Sequence, residues 1–171
     1  MSGKFKIWLI AIVVAVVLMG LFLWPKLTNP SREDIHKWVS LGIECLSNGH
    51  VNLAQHIHPI LEVYLDGQKQ IISANIGVVK DCMAEVHTHD DTGKIHIETA
   101  DAEKQFNLKQ FFDLWGQLLV RDDYDLEVLA DDLSVADPAS LILRDNQKIT
   151  VKYLKKIASD NVLEAPIDKN Q

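Results

Sequence analysis

The chain has 171 residues and a formal net charge of −7, from 24 acidic and 17 basic side chains. Taking away Lys4, Lys6 and Lys26 at the amino end leaves 14 basic against 24 acidic residues, a formal charge of −10. That balance argues against nucleic acid and anionic membrane surfaces as partners, and it suits the attraction of cations.

Residues 7–24 carry no charge, and Gly20 is the only one among them outside the apolar set. As a helix these 18 residues would span about 27 Å, close to a hydrocarbon core of about 30 Å. Trp8 and Trp24 sit near the ends, where amphipathic indoles favour the headgroup layer, and Lys4 and Lys6 precede the span. A cleaved signal peptide has a shorter apolar run ending in a small-x-small site. This run instead ends in Leu23-Trp24-Pro25. The expected organisation is a cytoplasmic N-terminus with a transmembrane signal anchor over 1–26, an exported α+β domain over 27–158, and a flexible tail over 159–171. The C-terminal domain of such a single-pass protein lies in the periplasm or outside the cell.

Ser31, with Asp34 three residues on, resembles a helix N-cap. Ile35, Trp38, Val39, Gly42, Ile43 and Leu46 follow helical spacing until Ser47-Asn48-Gly49. Cys45 falls within this helix, and Cys82 is the only other cysteine. In an oxidising compartment the two are expected to form a disulfide, the alternative being Cys82 as a thiolate ligand.

The stretch "HIHPILEVYLDGQKQIIS" (56–73) predicts a hairpin turning at Asp66-Gly67, with Pro59 at an edge or a bend. "ANIGVV" reads as a loop or short strand. "AEVHTHDDTGKIHIE" (84–98) predicts a second hairpin, turning at residues 90–93. Asn107 caps a helix with Leu108, Phe111, Phe112, Trp115, Leu118 and Leu119 on one face. Leu141-Ile142-Leu143 and Ile149, Val151 and Tyr153 flank Asp145-Asn146 and read as a further hairpin, while "LEVLADD" (126–132) echoes "LEVYLDG" (61–67). The expected fold is therefore α+β: mainly antiparallel β-hairpins with two packed helices, behind an N-terminal transmembrane helix.

Strand parity gives the second hairpin its chemistry. Residues two apart share a face, so His87 lies with His89. Closure over residues 90–93 sets His96 opposite His87, and Glu98 opposite Glu85. His87, His89, His96 and Glu98 then share a face, with Val86, Ile95 and Ile97 turned to the core. Opposed Cβ atoms lie about 4.5–5.5 Å apart. Imidazoles so placed reach one ion at bonds of about 2.0–2.1 Å. His56 and His58 add two more if their strand lies alongside. Asp90 or Glu98 could hold the second ring nitrogens, and Met83 or Cys82 would add sulfur. The alternative is an ordinary half-exposed polar face. His36 and His50 read as solvated bystanders.

The segments "HIHPILEVYLDGQ", "CMAEVHTHDDTGKIHIE" and "FNLKQFFDLWGQ", with a closing "DPASLILRDNQKITVKY", resemble an uncharacterised family of membrane-anchored or exported prokaryotic proteins. The resemblance spans residues 56–153 and implies export or anchoring, with no particular activity. "ADDLSVAD" departs from it, where a tighter Asp-Gly or Asn-Gly turn would be expected.

No HExxH, calcium-loop spacing, phosphate-binding glycine loop or nucleophile elbow appears. The expected function is extracytoplasmic binding of copper or zinc by the histidine cluster. A non-enzymatic interaction or assembly module of a membrane complex is the alternative, and a metal-dependent enzyme the third. The expected partners are the membrane, through the N-terminal helix, and a membrane protein, with no nucleic acid.

Overall fold

The computed structural model describes residues 30–46, 50–80 and 82–156. The expected membrane anchor and the C-terminal tail lie outside them. No helix among the described residues is long and apolar enough to cross a membrane.

The described part is α+β, built on mostly antiparallel sheets with two helices. Helix α1 spans Pro30–Ser40, with proline in the first turn, where its missing N–H is not needed. Ser31 therefore lies inside the helix and not at its cap. The helix also stops earlier than its apolar spacing suggests. Gly42 takes φ +76°, and the N–H groups of Gly42 and Ile43 turn back to Val39 and Trp38. Cys45 then leaves as an extended residue bridged to Ala84. Trp38 and Ile43 are buried, whereas Val39 is exposed.

The larger sheet has five strands. Strand β2 (Ile60–Leu65) turns through Asp66-Gly67 into β3 (Gln68–Gln70), as expected. Strand β8 (Tyr124–Ala130) turns through Asp131-Asp132 into β9 (Leu133–Ser134). All four turn residues have positive φ, so Asp-Asp makes the tight turn usually given to Asp-Gly. Strand β10 (Lys148–Lys155) lies between, parallel to β2 and antiparallel to β8. The echoed segments are thus the two neighbours of β10. Each turn holds one of its ends: Asp66 Oδ1 accepts from the Lys155 N–H, and Asp131 Oδ1 from the Lys148 N–H.

The hairpin expected over 141–153 does not form. Residues 141–143 pair instead with 106–108, through Leu108 N–H to Leu141 O and Leu143 N–H to Phe106 O. Their apolar side chains serve the entrance of helix α2 (Leu108–Trp115), capped by Asn107 and Gln110 in a reciprocal box. Gly116, at φ +78°, ends α2, so Leu118 falls outside the helix and is exposed, while Leu119 is buried. Leu108, Phe111 and Phe112 are fully buried in the one core cluster that also takes in apolar residues of both sheets. Truncating either phenylalanine to alanine would cost about 3–5 kcal/mol.

The smaller sheet carries the histidines. Strand β1 (Gln55–Ile57) pairs antiparallel with β7 (His96–Thr99), and β7 with β6 (Val86–His87). A short hairpin, β4 (Val78–Val79) with β5 (Cys82–Met83), precedes β6. Pro59 makes the bend between β1 and β2, joining the two sheets. Gly93 approaches the same place at φ +86°, where an added Cβ would stand 2.2 Å from Leu61 O. The Leu61 N–H donates to Gly93 O, and the Ile95 N–H to Pro59 O. The tip of the histidine hairpin is thereby pinned to the larger sheet.

Candidate metal centre

Two registers assemble the site. His87 pairs with His96 and Val86 with Ile97, the pairing that closure over residues 90–93 requires. His56 pairs with Glu98, so the HxH of residues 56–58 runs beside the central strand. Val86, Ile95 and Ile97 are buried in the core on the opposite face. Alternation of side chains in these short strands sends the imidazoles to one side.

His87 is fully buried, which a merely polar sheet face would not show. Its Nδ1 lies 2.9 Å from Ala84 O, and its Nε2 lies 3.1 Å from His89 Nε2. A carbonyl only accepts, so Nδ1 carries the proton and Nε2 offers its lone pair. Burial pushes the His87 pKa down to about 4, against the smaller opposing pull of the Ala84 carbonyl. Burial also lowers His96 to about 4, reinforced by repulsion from His89 and His58. His58 is lowered by burial and then by His56. These rings are held neutral, the state a metal ligand needs.

The donor nitrogens gather in two sets, His56, His58 and His96, and His87, His89 and His96. Within each set they lie within 4.8 Å of one another. His96, on the central strand, belongs to both. Its Nδ1 is buried and makes no hydrogen bond among the described residues.

Glu98 lies fully buried at one end of the basin. Its Oε2 is 2.5 Å from His50 Nδ1, and its Oε1 is 2.9 Å from His56 Nε2 and 3.7 Å from His96 Nδ1. The His56 contact is short enough for attraction but is not aligned as a hydrogen bond. A buried carboxylate faced only by imidazoles needs positive charge nearby, from a protonated ring or from a cation.

His50, read from the sequence as a bystander, belongs here. Its ring centre lies 5.8 Å from that of His89, 6.2 Å from His87 and 6.5 Å from His56. Six of the seven histidines therefore line one basin, and only His36 stands apart on α1. The signal for His50 was its distance from Cys45. Cys45, five residues before His50, forms a disulfide with Cys82, five residues before His87, at a Cα–Cα distance of 5.4 Å.

Three expected auxiliaries fall away. Cys82 is spent in the disulfide and is no thiolate ligand. Met83 pairs with Val78 in the small hairpin, and a bend at Glu85 interrupts the alternation that would carry its parity to His87. Asp90 is occupied in its own turn, accepting from the Thr92 N–H and hydroxyl. Those bonds lower its pKa. Glu85 also leaves the imidazole face, binding Thr99 Oγ1 at 2.7 Å and Lys104 Nζ at 2.6 Å.

The chain matches no protein-family model, no curated protein and no solved structure. Its histidine groups could hold a metal ion, and the chemistry rests on their geometry alone.

Proposed function

We propose that this protein binds a divalent transition-metal ion, copper(II) or zinc, in the histidine basin, and acts as an extracytoplasmic carrier, sensor or assembly factor. The observation that carries the reading is the pair of three-histidine sets with convergent donors, one of them preset by the Ala84 carbonyl. Neutral imidazole suits copper and zinc. With the cysteines joined, the donors of both sets are imidazole nitrogens without thiolate sulfur, which suits Cu(II) and Zn(II) better than Cu(I). The disulfide supports an oxidising compartment, and residues 7–24 would tether the domain to the membrane that bounds it.

A hydrolytic centre ranks lower because both oxygens of Glu98, the carboxylate buried among the histidines, already face imidazoles and not an open water position. An interaction module of a membrane complex is the second reading. It draws on Leu118 and Val120, two large apolar side chains exposed just after α2.

The deciding experiment is metal analysis of the purified full chain after loading with Zn(II), Cu(II) or Cu(I) and removal of loose ions. One or more tightly held divalent ions per chain are expected, lost in His58→Ala/His89→Ala/His96→Ala. Absence of stoichiometric metal, or retention by that variant, overturns the reading. Capture of a fixed membrane partner by metal-free protein would favour the module.

A further inference from the structure

Resting on the metal-binding reading, we infer that the basin holds one divalent ion at a time and offers it two alternative stations, with His96 as the ligand common to both. The outer station is His56, His58 and His96; the inner is His87, His89 and His96.

The strand order is the first reason. Carrying the β1–β7 register past His56 and Glu98 sets His58 opposite His96, and β6 sets His87 opposite His96 from the other side. The ring centres of His58 and His87 lie 4.7 Å and 5.4 Å from that of His96. The backbones of His58 and His87 are therefore two strand spacings apart, about 9–10 Å. No group of donor nitrogens lying within 4.8 Å of one another contains both. The donors accordingly fall into two sets and not one. An ion held by His87 is out of reach of His58 until it moves.

Charge argues against filling both stations. Two divalent ions would set four positive charges against the buried carboxylate of Glu98, while beside His58 the charges of Lys94 and Asp145 oppose each other. With one ion, the vacated imidazoles remain neutral and cost little.

The stations differ in preparation. His56 is 46% exposed, whereas His87 is sealed and already oriented by Ala84 O. Each station has one exposed ring, His56 or His89, and so meets solvent, but the sealed and preset His87 lets the inner one hold the ion more tightly. His96, the one residue common to both sets, stays bound while the other two ligands exchange. Such a step conserves ligand number and needs no bare ion, as suits a protein that takes up an ion and passes it on.

The test titrates the full chain with Cu(II) and with Zn(II), reading stoichiometry by metal analysis and the ligand set by Cu(II) EPR. Variants His58→Ala and His89→Ala each disable one station and avoid the fully buried His87. Wild type is expected to bind one equivalent. Each single variant also keeps one, with EPR parameters that differ between the two, and His96→Ala and His58→Ala/His89→Ala lose it. Two equivalents in wild type overturn the inference, as does complete loss of binding in either single variant. Failure of wild type to bind any ion defeats the metal-binding reading itself, so the two failures are distinguishable.

Discussion

His87 Nε2 stands 3.1 Å from His89 Nε2 while His87 Nδ1 is engaged by Ala84 O. A tetrahedral ion with bonds of about 2.0–2.1 Å sets its ligand nitrogens roughly 3.3–3.4 Å apart. The pair is already within a few tenths of an ångström of one edge of such a tetrahedron. Beyond moving the His89 ring proton from Nε2 to Nδ1, little reorganisation separates the free side chains from a bound arrangement, and that is the physical meaning of preorganisation here.

The metal-free protein should lose stability as the pH falls. An unfolded histidine takes up its proton near pH 6.5, whereas His87 in the fold resists it until about 4. Between those values the unfolded chain binds more protons, so acid favours unfolding; the stabilisation is complete above about 6.5 and gone below about 4. For His87 alone the change is on the order of 3 kcal/mol. Urea denaturation of metal-free protein at pH 7 and pH 4.5 checks this; equal stability at both would refute it.

Glu98→Gln should weaken metal binding without removing an ion ligand. The amide keeps the shape of the carboxylate but loses the charge that faces His50, His56 and His96. Outer-sphere partners of this kind typically contribute 10–100-fold in affinity. Competition against a chelator of known affinity should show a loss in that range with the stoichiometry unchanged.

Gly93→Ala should damage fold and site together. The positive φ alone costs an alanine about 1–3 kcal/mol, and its Cβ would overlap Leu61 O. Relief requires the hairpin tip to leave β2, which shifts His89 and His96. Denaturation and metal titration of the same sample should both report the loss.

Replacing both cysteines by serine removes a cross-link between residues 37 apart in sequence. The chain-entropy account puts its contribution at about 4 kcal/mol. The melting temperature should fall, and His50 should lose its tether beside Glu98.

Asn107→Ala serves as a contrast. It deletes the cap and breaks the box with Gln110 at α2, away from the basin. A loss of about 1 kcal/mol is expected with metal affinity unaltered. A matching drop in affinity would show that the site depends on global stability and not on local geometry.

Local sequence was enough for features governed by short-range chemistry. Alternation in "HTHDDTGKIHIE" fixes which side chains share a face, and the pairing of His87 with His96 follows once the turn is placed. Asp66-Gly67 and Asn107 were legible because turn geometry and capping are settled within a few residues. Helical spacing over residues 35–46 and 108–119 misled about length, since glycines 42 and 116 end both helices with apolar residues still to come. The apparent hairpin over 141–153 failed for a related reason. Its first half found better partners in residues 106–108, and β10 found them in β2 and β8, which no local pattern names.

By itself the sequence determined the composition of the site: a hairpin with three imidazoles on one face and a second HxH available to join them. Periodicity and turn chemistry are local, so one chain carries them openly. Only the tertiary structure decided that β1 lies beside β7, that His50 comes in to face Glu98, and that His87 and Glu98 are sealed from solvent. Those are long-range pairings and burial. They depend on which distant segments compete best for the same hydrogen bonds and apolar surface, and that competition is resolved only when the whole domain folds.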